Sequence, residues 1–318
     1  MVAAELQAAR AGDERAFEAL VEPHRRELHV HCYRMLGSLD DADDLVQETL
    51  LAAWRGLHSF AGRSSVRTWL YRIATTRCLN AIRDGRRRPP PAPAAPFEPP
   101  APSARFEVPW LQPYPDASLE AGDPAARSMS REGVELAFVA ALQALPPRQT
   151  AALVLCDVLG FRLTEAAEML DVAPTSVKGL LQRARAAMPA AAPLADASAD
   201  ARLAREFASA FEADDVETVV ALLTDEAWLT MPPATEQYVG SPAIAAFLRA
   251  SAAGRPGGRY RLLPTRAGGH PAFGCYLENR ARGLLVLVPD HQATRVVGIM
   301  RFLDDHLHRR FGMPDSLP

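Results

Sequence analysis

Between Arg86 and Arg105 the chain reads "RRRPPPAPAAPFEPPAPSAR". Each proline fixes φ and removes a backbone donor, so this run supports neither helix nor inner strand. Alanine and proline cannot build a core there, and such a stretch behaves as a stiff, solvated spacer. It therefore divides the 318 residues into parts that must each bury their own apolar surface. That length accommodates about two or three domains. A second, softer spacer, "PAAAPLADASAD", divides the remainder again. Immediately after the first spacer comes "FEVPWLQPYPD", Phe106 to Asp116. Apolar groups gain nothing in a solvated linker, so this cluster is expected to dock on another surface.

The sequence is 48 % hydrophobic and 23 % charged, which suits ordinary globular domains. The net charge of −3 excludes a bulk polycation, so any nucleic acid must be met by local patches or with a partner's help. Lys178 is the only lysine, and arginine supplies the other positive side chains. Cys32, Cys78, Cys156 and Cys275 form no C-x-x-C pair, which favours reduced thiols over disulfides or a metal site. No signal-type or membrane-spanning apolar run is visible, so a cytoplasmic location is expected.

Residues 1–88 read as helical, with Leu6, Phe17, Leu20, Val21, Leu28, Met35 and Leu36 at helical spacing up to Gly37-Ser38. A second helix is expected over about 40–54 and a third over about 66–83. Residues 89–129 form the linker. Helical pattern returns over 130–190, and residues 198–318 mix helices with strand-like runs such as "AWLTMP", "GRYRLLPT", "AFGCYLEN", "GLLVLVP" and "RVVGIMRFL". The fold expected is multidomain: two all-α domains joined by the linker, then an α+β domain in which a sheet wraps helices.

Two constellations carry chemistry. In "FRLTEAAEMLDVAPTSVKGLLQRARAAM", Thr164 suits a helix cap and Pro174 suits the first position of a second helix. In that helix Val177, Leu180, Leu181 and Ala184 make one apolar stripe. Thr175, Ser176, Lys178, Gln182, Arg183 and Arg185 lie off it, and no acid occurs between Pro174 and Met188. A helix-turn-helix reader of duplex DNA needs this arrangement, although an ordinary hairpin with a solvated basic face shares it. The second constellation is a switch of charge. "DDADDLVQE" holds five acids and no base, whereas Arg63, Arg67, Arg72, Arg77, Arg83, Arg86, Arg87 and Arg88 follow against Asp84 alone. Phe60, Trp69 and Tyr71 are interleaved with the arginines, and Ser64 and Ser65 lie beside them. Aromatics among basic groups suit single-stranded DNA. The acidic helix must face something other than DNA.

Together these residues resemble a sigma-70 family initiation factor of the extracytoplasmic-function type. "DADDLVQETLLAAWRGLHSFAGRSSVRTWLYRIA" is similar to the family's region 2, and "LPPRQTAALVLCDVLGFRLTEAAEMLDVAPTSVKGLLQRAR" to its region 4. The resemblance implies that Asp43, Asp44, Leu45, Gln47 and Glu48 meet core RNA polymerase. It implies that Phe60, Arg63, Ser64, Ser65, Arg67, Trp69, Arg72, Thr76, Arg77, Asn80 and Arg83 open and read the −10 element. Thr164, Thr175, Ser176, Lys178, Gln182, Arg183 and Arg185 would read the −35 element. Thr76 and Asn80 stand where the family usually has asparagine and aspartate, which leaves the −10 base preference open. The family's linker runs near the polymerase active centre; here Trp110, Leu111, Pro113 and Pro115 are the expected anchor within it.

The C-terminal part resembles the SnoaL-like fold through "FASAFEADDVETVVALLTDEAWLTMPP", "YVGSPAIAAFL" and "HPAFGCYL". That fold also hosts enzymes. Asp225, Tyr238, Tyr276, His270 and His291 are the available acid, base and donor types, with Asp225 expected in a helix-ending turn and His270 in a loop. Trp228, Met231, Phe273 and Tyr276 are the candidate pocket for a small-molecule ligand. The expectation is an initiation factor adjusted in cis by this domain, with no cofactor and no metal. The alternatives are a SnoaL-like enzyme fused to a DNA-binding module, and a regulator that binds duplex DNA without polymerase.

Overall fold

The computed structural model describes residues 2–85, 89–119, 134–188 and 197–318. Arg86, Arg87 and Arg88 of the basic run lie outside these residues, as do the far end of the linker and the second spacer up to Asp196. The described chain gathers into two units that interleave along the sequence. One is Met1–Arg87 with Val139–Pro189; the other is Arg88–Phe138 with Ala190–Pro318.

The first unit is helical. It contains α1 (Val2–Arg10), α2 (Glu14–Leu36), α3 (Leu39–Gly56) and α4 (Val66–Arg83). After the linker come α5 (Leu136–Ala144), α6 (Pro147–Leu153), α7 (Leu163–Leu170) and α8 (Pro174–Ala187). The caps follow the residues. Asp13 accepts from the amides of Arg15 and Ala16 at the start of α2. Gly37, at φ +75°, returns its amide to the Tyr33 carbonyl and ends the helix. Ser38 and Ser65 cap α3 and α4. Thr164 does not act as a cap. The α7 helix begins at Leu163, and Glu165 reaches back to accept from the Arg162 amide, closing the turn one step earlier.

The second unit has the expected α+β architecture. Its strands are β1 (Ala104–Arg105), β2 (Leu223–Thr230), β3 (Glu236–Val239), β4 (Tyr260–Ala267), β5 (His270–Leu277), β6 (Arg280–Pro289) and β7 (Val296–Phe302). They form one sheet in the order β1-β3-β2-β7-β6-β5-β4, parallel only where β2 meets β7. Helices α9 (Ala197–Glu212), α10 (Val216–Ala221) and α11 (Ser241–Ala253) supply Leu203, Phe207, Val219, Ile244 and Phe247 to a core shared with Leu229, Phe273, Leu285, Leu287 and Ile299 of the sheet. Asp225 is not in a helix-ending turn but in β2, where it is exposed. His270 is not a loop residue; it opens β5 and is buried.

Gly298 of β7 lies directly opposite Trp228 of β2. A Cβ added at Gly298 would stand 2.3 Å from the indole ring. Gly298→Ala is therefore expected to destabilise the second unit by about 1–3 kcal/mol through overpacking. Urea unfolding followed by circular dichroism checks this; unchanged stability would show that the indole has room to move.

Candidate nucleic-acid interface

The surface of α3 is divided by helical period. Asp40, Asp44, Gln47, Leu51 and Arg55 are exposed along one side, whereas Leu45 is 1 % exposed. Leu45 therefore belongs to the core, and the expectation that it contacts polymerase directly is corrected. Its i, i+4 neighbour Thr49 and the adjacent Val46 are buried with it. Asp43 pairs with His29 at 3.1 Å, and Glu48 receives Arg77 at 3.2 Å.

Trp69, Arg72, Thr76 and Asn80 recur along one side of α4. With Ala52 of α3, Ile73 and Arg77 they line an open groove of about 480 Å³. Five of the residues singled out in the sequence thus meet in one place. Its apolar lining, Ala52 and Ile73, was not singled out; the i, i+4 step from Trp69 to Ile73 was the available signal. Phe60 is largely buried and stacks on Trp69 with ring centroids 4.7 Å apart, so it supports the indole. Arg63 and Ser65 are exposed in the loop before α4, Ser64 is half-buried, and Arg83 is exposed at the helix end. A flat aromatic wall beside cationic and hydroxyl groups suits an unstacked base and its phosphate.

Arg67 is placed differently. Its Nε donates to Glu27 at 2.9 Å, and its guanidinium lies 4.9 Å from the Tyr71 ring and 4.7 Å from the Phe161 ring. Tyr71 and Phe161 meet edge to face at 5.1 Å. Burial alone raises the Glu27 pKa, but hydrogen bonds from His24 and Arg67 outweigh it and hold the carboxyl below its usual range. In this arrangement Arg67 joins α4 to the loop before α7. A further tie is Gln143 of α5, which donates to the Arg34 carbonyl at 2.9 Å.

On α8, Val177, Leu181 and Ala184 are buried, whereas Thr175, Ser176, Lys178, Gln182, Arg183 and Arg185 are exposed. Leu180 is half-buried. Arg185 is held in a two-pronged pair with Asp157 at 2.7 and 2.8 Å, so it is already engaged. Thr164 lies in the exposed first turn of α7. Thr175, Ser176, Lys178, Gln182 and Arg183 make up the rest of the exposed polar face of α8.

The linker belongs to the second unit. Phe97 packs edge to face on Phe247 at 5.5 Å, and the Tyr238 hydroxyl donates to the Pro100 carbonyl at 2.9 Å. Ala104 and Arg105 add a strand to β3 opposite Gln237 and Glu236. Within the motif, Val108, Leu111 and Tyr114 are buried, with Leu111 1 % exposed; Trp110 is only half-buried. Pro113 and Pro115 are buried too. The tip of the β4–β5 hairpin grips the motif: Gly268 donates to the Tyr114 carbonyl at 2.8 Å and Gly269 to the Asp116 carboxylate at 3.0 Å. Only glycine suits position 268. Its φ is +56°, and a Cβ would stand 2.9 Å from the Val134 carbonyl on the far side.

The candidate pocket residues divide between the two faces of the sheet. Met231 and Phe273 join the helix-covered core, whereas Trp228 sits against Gly298 and Tyr276 donates to the Pro314 carbonyl beside Met313. They do not line one cavity, because strand residues of opposite parity face opposite sides.

The helical unit thus carries an aromatic and basic groove on α4 and an acid-free polar face on α8. The model for sigma-70 region 2 matches residues 20–88, that for sigma-70 region 4 matches 135–188, and that for the SnoaL-like domain matches 204–309. The chain is 43 % identical over 331 residues to the ECF RNA polymerase sigma factor SigG of Mycobacterium tuberculosis H37Rv, covering 99 % of this chain and 89 % of that one. SigM of the same organism is 36 % identical over 184 residues, covering 58 % and 81 %. The crystal structure of M. tuberculosis SigJ has the same fold at 22 % identity, with a TM-score of 0.59 over 92 % of this chain and 97 % of that one. The chain belongs to the sigma-70 family, among its extracytoplasmic-function members that carry a C-terminal SnoaL-like domain. It is a transcription initiation factor.

His31 of α2 lies in the same helical unit, 5.0 Å from the Tyr71 ring, with Nε2 2.9 Å from the Thr75 hydroxyl. Burial, and then the charges of Arg34 and Arg67, push its pKa down to about 3 against the partial pull of Glu27. The unfolded chain takes up this proton near pH 6.5 and the folded chain does not. The stability it confers is therefore complete above about pH 6.5 and is lost as pH falls toward 3. His31→Gln is expected to flatten the fall in melting temperature between pH 7 and pH 5, a slope of up to about 1.4 kcal/mol per pH unit for one group. Calorimetry at several pH values checks this, and an unchanged slope would remove His31 from the account.

Proposed function

We propose that the exposed side of α3 binds core RNA polymerase, that the α3–α4 groove takes the opened −10 strand, and that α8 reads the −35 duplex. The observation that carries this reading is the division of one helical unit's surface. An acidic stripe (Asp40, Asp44), an aromatic and basic groove (Trp69, Arg72, Thr76, Arg77, Asn80) and an acid-free polar helix face (Thr175, Ser176, Lys178, Gln182, Arg183) occupy three separate helix faces. A duplex-binding regulator has no use for the first two. The factor works in the cytosol, where polymerase and promoter are. Among the described residues no helix is long and apolar enough to cross a membrane. Run-off transcription with core polymerase, followed by mapping of start sites, tests the whole reading.

The two readers must separate to work. The −10 and −35 elements lie about 25 base pairs apart, or about 85 Å of duplex at 3.4 Å per pair. A compact unit of about 140 residues has a radius of gyration of about 14 Å, so it cannot span them while closed. The contact of Arg67 and Tyr71 with Phe161 is where the unit opens. The C-terminal domain adjusts this in cis by holding the linker, and it acts by binding rather than by bond chemistry. In support, Tyr238 and Tyr276 spend their hydroxyls on Pro100 and Pro314, and Asp225 and His291 are exposed.

Asp44→Arg is expected to weaken capture of core polymerase at least tenfold while leaving circular dichroism unchanged; wild-type capture would remove α3 from the polymerase interface. Gln182→Ala should relax one base position of the −35 element, at about 1–3 kcal/mol for a direct contact. If its discrimination among −35 variants matches that of wild type, α8 is not the reader. Leu111→Ala should expose the linker to protease more than Trp110→Ala does, because the leucine is the more buried of the two. Equal protection in both variants and wild type would show that the motif is not the anchor.

A further inference from the structure

At the start of β4 the second unit has a groove of about 440 Å³ that belongs neither to the linker seat nor to the residues first considered as a pocket. It is lined by Glu212, Arg259, Tyr260, Arg261, Leu262 and Leu317, among others. Its volume lies within the range of about 300–1,000 Å³ typical of small-molecule sites.

The charges around it do not balance. The Tyr260 ring has the Arg255 guanidinium 4.6 Å away and the Arg301 guanidinium 5.6 Å away. Arg301 is 8 % exposed and donates to the main-chain carbonyls of Leu284, Phe302 and Arg282, with the Tyr260 side chain and the charge of Asp305 acting on it as well. Arg259 and Arg261 add two exposed cations at the rim. Against these four arginines stand three acids, each already engaged: Asp214 takes Arg255 at 2.8 Å, Glu212 accepts the Leu262 amide at 2.6 Å, and Asp305, whose charge acts on Arg301, accepts from Arg282 at 3.2 Å. Arg261 also holds an oxygen acceptor here, the Pro318 carbonyl at 3.2 Å, which leaves donors of the fork for a second one. The rest of the lining is apolar, from Leu262, Leu263 and Leu317.

We propose that this groove binds a small organic anion with an apolar body, a carboxylate held by Arg259 and Arg261 with its hydrocarbon part along Leu262, Leu263 and Leu317. The two halves of the lining require both properties. A neutral amphiphile leaves the cationic rim unused, and a bare inorganic anion leaves the leucines wet.

The test uses the full chain and three probes: sodium octanoate, octanamide and inorganic phosphate, each by isothermal titration and thermal shift. Octanoate is expected to bind at least tenfold more tightly than octanamide or phosphate and to weaken as salt rises. The Arg259→Gln, Arg261→Gln double variant should lose at least tenfold in octanoate affinity. Both side chains are exposed, so its melting temperature without ligand should match that of wild type. Equal binding of octanoate and octanamide, equal binding of phosphate and octanoate, no octanoate binding at millimolar concentration, or an unchanged double variant would each overturn the proposal. None of these outcomes bears on run-off transcription from a promoter, so failure here and failure of the initiation reading remain separate.

Discussion

Two amide groups at one hairpin tip, those of Gly268 and Gly269, hold the middle of this chain in place. A proline-rich segment has few donors of its own and cannot fold on itself, so its carbonyls and apolar side chains must be satisfied elsewhere. The hairpin supplies donors to Tyr114 and Asp116, β3 supplies an edge to Ala104 and Arg105, and Phe247 supplies a surface to Phe97. Arg266 adds charge, 3.5 Å from Asp116 and 3.8 Å from Asp200 of α9. The segment that looks like a passive tether is thus part of the sheet-bearing unit.

The helical unit applies a similar economy to charge. Arg67, Arg77 and Arg185 look alike in the sequence, as basic groups near reading helices. In the structure each has a carboxylate: Glu27, Glu48 and Asp157. An arginine so paired is partly withdrawn from solvent, and using it for DNA first requires breaking the pair. Lys178 and Arg183 are exposed on α8, and among the described residues neither forms such a pair.

Much of this fold was legible because helices announce themselves locally. Ser65 and the period of Leu70, Ala74 and Ala81 place α4, and the Val177, Leu181 and Ala184 stripe orients α8 without any distant information. The five strand-like runs of the C-terminal part all become strands. What stayed hidden depends on register. The pairing of Ala104 with Gln237 joins residues far apart in sequence, and β1 has no apolar pattern of its own. The quartet Trp228, Met231, Phe273 and Tyr276 has the right chemistry for a pocket, but parity along β2 and β5 sends its members to opposite sides. Leu45 looked like a contact because acids surround it; one step of helical phase puts it inside. Asp225 was misplaced for a related reason, since only Leu222 separates α10 from β2, with no glycine, proline or asparagine to mark the change.

The order in which the chain is made gives the linker seat a kinetic side. Gly269 follows Asp116 by 153 residues. At about 5–20 residues per second, the ribosome delivers the hairpin about 8–30 s after the motif it grips. The first helical piece precedes the motif and the second, ending at Ala187, follows it, so both are made before the hairpin exists. Each newly made molecule therefore passes through a stage in which both helical pieces exist and the hairpin that grips the linker does not.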